Sequence, residues 1–312
     1  METSELLRNI TTLPIISSGL AEEMIAGNFS SIFKGQGMEF DEARHYEPGD
    51  DIRSIDWNAS ARFGTPFVKM FREERELTIL ILMDVSPSMH RGSIARQGLS
   101  PYEQALISAA AIAFSAEHTG QQVGAFFFDR DIERVFPPRK GRKHMMAMIM
   151  AALGFQKDVS SASYRDKHGS NILSALTGAQ KLLKKRSLVV LLSDFYSVNW
   201  EQEMGNLCRK HDVIAIRICD PPDLPYPGLI TLEDPETGVR IEAPAGMDFF
   251  RESWSLWHSE RSAHWTSQCK KCGASYLELS TAADAPSSLL KFFGKYGRSS
   301  HSSTGSRRRK YK

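Results

Sequence analysis

From residue 77 onward the chain alternates between short, unbroken apolar runs and longer amphipathic stretches. Ile79–Met83 is such a run, rich in β-branched residues and closed by Pro87, which is how a strand buried on both faces reads. The same pattern predicts strands over Leu77–Val85, Gln122–Asp129, Ser187–Phe195, Asp212–Cys219 and Tyr276–Leu279. Helical spacing falls between them, at Tyr102–His118, Lys143–Leu153, Asn171–Lys184, Glu201–Lys210, Gly246–Gln268 and Pro286–Phe293. Ile132–Phe136 is expected to hairpin with the strand before it. Leu229–Leu232 and Val239–Glu242 flank a turn signal, Asp234-Pro235-Glu236-Thr237-Gly238, and predict a second hairpin. Strand-then-helix order repeated this often implies an α/β fold: a doubly wound, mostly parallel, Rossmann-like sheet covered on both faces.

The first quarter of the chain follows other rules. Met1–Gly27 reads as two helical pieces broken near Pro14 and Gly19, with Leu6, Leu7 and Ile10 on one face. Asn28–Glu76 is dense in glycine, aromatics and alternating charge, with a turn at Pro48-Gly49 and strand-like alternation over Thr65–Arg72. It predicts a small N-terminal β-rich lobe. Glu39, Arg44, Tyr46, Asp50, Arg53, Asp56, Trp57 and Arg62 form either a surface that reads a partner or an internal salt-bridge network, and the two are compatible. The expected division is a helical segment at 1–27, the lobe at 28–76, the α/β domain at 77–296 and a disordered basic tail at 297–312.

Composition changes this picture little. A 312-residue chain with 41% hydrophobic and 24% charged residues is ordinary for a soluble globular protein. Four cysteines and no secretory pattern at the start point to a reducing, cytoplasmic setting. No apolar stretch approaches the roughly 20 residues that span a bilayer. Charge is uneven: of the formal net +2, Arg298, Arg307, Arg308, Arg309, Lys310 and Lys312 contribute +6, and without these six the body stands at −4. The tail is read mainly as solubilising, with contact to nucleic acid or acidic lipid as the alternative; sequence-specific nucleic-acid binding is not expected.

The candidate chemistry lies at predicted strand ends. Asp84-x-Ser86-x-Ser88 follows the first buried strand, Asp194 ends the third, and Ser170 precedes a helix. In open α/β sheets ligands bind beyond the carboxyl ends of the strands. Two carboxylates and three hydroxyls make an oxygen shell suited to Mg²⁺, with Mn²⁺ as a substitute. Two aspartates cancel the ion's charge, and neutral hydroxyls leave it electrophilic toward an outside carboxylate. No general base or nucleophile stands in these motifs, so an enzyme is not expected.

The order and spacing of Asp84-x-Ser86-x-Ser88, Ser170 and Asp194 resemble the metal-ion-dependent adhesion site of von Willebrand factor type A domains, with Ser170 where threonine is more usual. The wider chain, from about Asn28 to Phe293, resembles the family called domain of unknown function 58. The residues that carry this likeness are Glu39-Phe40, Arg44-x-Tyr46, Pro48-Gly49-Asp50-Asp51, Arg53, Asp56-Trp57 and Ala61-Arg62. The resemblance implies a metal-dependent protein-binding adaptor whose partner is a MoxR-type AAA+ ATPase or its client.

Alternatives are weaker. A Mg²⁺-dependent hydrolase or phosphatase would use the same residues, but haloacid-dehalogenase chemistry needs a second aspartate where Ser86 stands. Cys269-x-x-Cys272 is one half of a zinc pattern without the other, and Cys208 and Cys219 read as core thiols. No phosphate-binding loop of the G-x-x-x-x-G-K-[ST] type occurs, so any ATPase activity must come from a partner.

Overall fold

The computed structural model describes residues 19–20, 39–47, 50, 55–72, 77–90, 99–158, 170–220, 228–233 and 239–299. Most of the expected N-terminal helical segment and the basic tail from residue 300 onward lie outside these residues. The chain divides into two compact units, Ser30–Glu76 and the combination of Met1–Phe29 with Leu77–Lys312.

In the smaller unit, β1 (Glu39–His45) pairs antiparallel with β2 (Phe67–Arg72). Between them lies a helix that the hydrophobic pattern did not announce, α1 (Trp57–Phe63). It has no buried residues, so it carries no apolar stripe to be read from sequence. Its ends make it: the Asp56 carboxylate accepts from the backbone of Asn58 and Ala59, and Gly64 closes it at φ 70°.

The larger unit is built on a six-stranded sheet. β3 (Thr78–Asp84), β4 (Gln122–Phe128), β6 (Leu188–Ser193), β7 (Asp212–Cys219) and β10 (Ser275–Ser280) run parallel, and β5 (Ile132–Arg139) is the antiparallel edge beside β4. The strand order is β10-β7-β6-β3-β4-β5. From β3 the chain winds first toward β4 and β5, then returns to the other side of β3 to lay down β6, β7 and β10. The switch point therefore falls between β3 and β6, where this topology opens a crevice.

Strand alternation sorts the core into two layers. Leu80 and Leu82 of β3, Val189 and Leu191 of β6 and Val213 and Ala215 of β7 are buried in one cluster. Covering them are α4 (Ile172–Leu182), α5 (Glu201–Cys208) and α6 (Asp248–Cys272), through residues such as Leu176, Met204 and Trp265. The intervening Ile79, Ile81 and Met83 are equally buried, toward α2 (Pro101–His118), which packs on β3, β4, β6 and β7. α2 starts on a complete capping box: Ser100 and Glu103 each bond the other's backbone, with Pro101 in the first turn. α3 (Arg142–Asp158) and α7 (Ala285–Ser299) pack against it. The predicted second hairpin forms as β8 (Ile230–Glu233) with β9 (Arg240–Ala243). Among the described residues no helix is long and apolar enough to cross a membrane.

Candidate metal centre

Asp84 is the last residue of β3 and is fully buried. Its Oδ1 accepts the Ser86 backbone N–H at 2.9 Å, which bends the chain back over the strand end. Its Oδ2 accepts two hydroxyls, Ser170 Oγ at 2.7 Å and Ser193 Oγ at 2.7 Å. Ser86 and Ser88, both buried, sit with their Oγ atoms 3.0 Å apart. Asp194 directly follows β6 and is also buried; its Oδ1 accepts the Tyr196 N–H at 3.2 Å.

Backbone bonds hold the three segments in place. The Val85 N–H donates to Phe128 O at 2.8 Å, fastening the turn after β3 to the end of β4. The Asn171 N–H donates to Asp129 O at 2.8 Å, and the Asn171 side chain caps α4. Ser170 is thus set just before a helix whose start is anchored to the neighbouring strand end.

Two buried carboxylates close together are costly without a cation. Burial, and next the Asp194 charge, push the Asp84 carboxyl up to about 7, against the hydrogen bonds from Ser86, Ser170 and Ser193. Among the described residues no group of three or more His, Cys, Asp or Glu stands together as a metal cluster. The chemistry of the donors suits instead a hard cation that accepts hydroxyls: two carboxylates could supply the charge, and Ser86, Ser88 and Ser170 could supply neutral oxygens.

Ser193 escaped the sequence reading. Its signal was register: β3 and β6 pair Met83 with Leu192, and one further step sets Asp84 beside Ser193. Ser193 in turn pairs with Arg217 on β7, and Arg217 with Glu278 on β10, to which its Nη1 donates at 2.8 Å. A polar row thus crosses the sheet under α6.

The candidate partner-reading residues of the small unit have mostly local duties. Arg44 Nη2 bonds Asp50 Oδ1 at 2.6 Å, and Asp56 caps α1. The Tyr46 N–H donates to Pro66 O at 2.9 Å. Trp57 and Arg62 are exposed, Glu39 opens β1, and Arg53 lies outside the described residues. The four cysteines are free thiols, and burial raises all of them, Cys208 and Cys269 to about 12.

The family model described as "Protein of unknown function DUF58" matches residues 42–263. The chain belongs to this family. It is 27% identical over 298 residues to the uncharacterized protein Mb1516 of Mycobacterium bovis, covering 94% of this chain and 90% of that one. It is 26% identical over 106 residues to YeaD of Bacillus subtilis, covering 34% of this chain and 24% of that one. Looser likenesses run to solved structures. The von Willebrand type A domain of SpRpn10 aligns at 10% identity and TM-score 0.37, over 69% of this chain and 94% of that one. The pilus adhesin SpaC of Lactobacillus rhamnosus GG aligns at 11% identity and TM-score 0.41, over 73% of this chain and 31% of that one.

Proposed function

We propose that this DUF58 protein is a metal-dependent protein-binding adaptor. Asp84, Ser86, Ser88, Ser170 and Asp194 would hold one Mg²⁺ at the switch point of the sheet, with Mn²⁺ as a substitute. When bound, the ion supplies a Lewis-acidic position for a carboxylate on a partner. The chain's own residues supply the rest: Asp84 is fixed by Ser86, Ser170 and Ser193, and the loop after Asp194 presents the exposed Tyr196 and Val198 beside the site.

The observation that carries this reading is the Asp84 carboxylate. Residues from three loops converge on it or crowd it, and its cost to the fold is relieved by a cation. The partner expected from the family resemblance is a MoxR-type AAA+ ATPase or its client. Binding of the purified chain to the MoxR-type ATPase of its own organism tests it. The expected result is an interaction present in Mg²⁺ and lost both in EDTA and in Asp84→Ala. Binding indifferent to both treatments contradicts the reading. Turnover of phosphoester substrates abolished by Asp194→Ala would mark a hydrolase instead.

A further inference from the structure

The segment after β6 is bent in a way its sequence does not favour. Among the described residues only Phe195, at φ 55°, and Asn199, at φ 61°, are non-glycine residues with positive φ, and both lie between Asp194 and Trp200. Left-handed backbone is unfavourable for a bulky residue such as phenylalanine, and it persists where surrounding contacts over-determine it. Those contacts are on view. The Phe195 ring is buried between Trp200 and Trp265, with centroids at 5.4 and 5.2 Å. The Phe195 N–H donates to Ser193 Oγ at 3.0 Å. The remaining hold comes from α6: Arg261 Nη2 donates to both Asp194 O and Phe195 O, each at 3.2 Å.

Arg261 is itself held. Its guanidinium lies 3.4 Å from the centre of the Tyr196 ring and 5.5 Å from that of Trp257. A guanidinium set against two carbonyls and two rings is a fixture that the shorter reach and single nitrogen of lysine cannot reproduce.

We infer that Arg261 is the positioning residue of the proposed metal site, holding the strained Asp194–Phe195 peptide so that the Asp194 carboxylate faces Asp84 before any ion arrives. The inference rests on the metal reading above and adds to it a residue 67 positions away in sequence, on another element. Groups that orient a metal ligand without touching the metal weaken affinity by about tenfold or more when removed.

The test compares the full chain with Arg261→Gln and Arg261→Lys at pH 8. It measures Mn²⁺ affinity by titration calorimetry, amide hydrogen exchange across 194–200, and thermal unfolding in EDTA. Arg261→Gln should bind Mn²⁺ about tenfold more weakly and exchange faster at Phe195 and Tyr196 than along the sheet strands, while still unfolding in one cooperative transition in EDTA. Arg261→Lys should recover only part of the affinity. Tyr196→Ala, which removes one wall of the guanidinium's seat, should give a smaller loss in the same direction; it decides the matter if the Arg261 variants do not fold. Wild-type affinity in Arg261→Gln or, failing its folding, in Tyr196→Ala overturns the inference alone. So does exchange that rises equally across the whole sheet. No Mn²⁺ binding by the wild-type chain overturns both this inference and the metal reading.

Discussion

Ser193 Oγ donates to Asp84 Oδ2 at 2.7 Å, across two adjacent parallel strands whose residues stand 109 positions apart. The bond ties the two sides of the switch point together and favours the ionised form of a carboxyl that burial would otherwise neutralise. Ser193→Ala should therefore weaken divalent-ion binding without abolishing it. A hydrogen bond to a charged group is worth about 1.5–3 kcal/mol, or roughly tenfold and upward in affinity. Calorimetric titration with Mn²⁺ at pH 8 checks this.

Stability should depend on pH and metal together. The Asp84 carboxyl is raised from 3.8 to about 7 in the folded chain, so the fold binds a proton that the unfolded chain releases between those values. This contribution falls as pH rises from about 4 through about 7 and stays low above that. Relative to Asp84→Asn, the metal-free wild type should lose melting temperature between pH 5.5 and pH 8, and Mg²⁺ should restore the loss at pH 8. Asp84→Asn keeps an oxygen for the Ser86 N–H and removes the charge. It should raise the metal-free melting temperature at pH 8 and eliminate the response to Mg²⁺. Thermal unfolding in EDTA and in Mg²⁺ at both pH values measures each part.

The thiols should be sluggish. Burial raises Cys208 and Cys269 to about 12 and lifts Cys219 and Cys272 in the same direction, so little thiolate exists near neutrality. Iodoacetamide at pH 8 should label native Cys208 and Cys269 last, and label all four rapidly once the chain is unfolded in denaturant. Peptide mass mapping over time distinguishes the sites; rapid native labelling of Cys269 would contradict the burial described for it.

The edge of the sheet has no room to grow. A Cβ on Gly124 would stand 2.6 Å from Phe136 O and 2.7 Å from Pro138 N, backbone atoms of the adjoining β5. Gly124→Ala should destabilise the chain by about 1–3 kcal/mol, the usual range for overpacking. Denaturant midpoints measure it, and Gly205→Ala, where a Cβ meets nothing within 4 Å, is the control.

Much of this architecture was legible in the sequence because its strands are buried on both faces. Ile79–Met83 and Leu188–Leu192 are continuous apolar runs, and the expected antiparallel edge at Ile132 and the hairpin around 234–238 both formed. Asp84, Ser86, Ser88 and Asp194 could be singled out because they follow such runs, and Ser170 because it stands just before a helix start. What stayed hidden depends on other rules. α1 buries nothing, so no periodicity marks it, and only its caps do. Ser193 sits between a leucine and an aspartate, and its meeting with Asp84 is a matter of register between strands. Arg261 lies on a helix packed over the site, and nothing in its neighbours' spacing indicates that it reaches the carbonyls of Asp194 and Phe195.

The central claim is that five side chains from three loops hold one divalent ion. Titration of the purified, metal-stripped chain with Mn²⁺ at pH 8, beside Asp84→Ala, tests it most directly. The account predicts one ion per chain in the wild type, displaced by excess Mg²⁺, and none in the variant. A wild-type chain that takes up no ion, or a variant that binds as the wild type does, contradicts it.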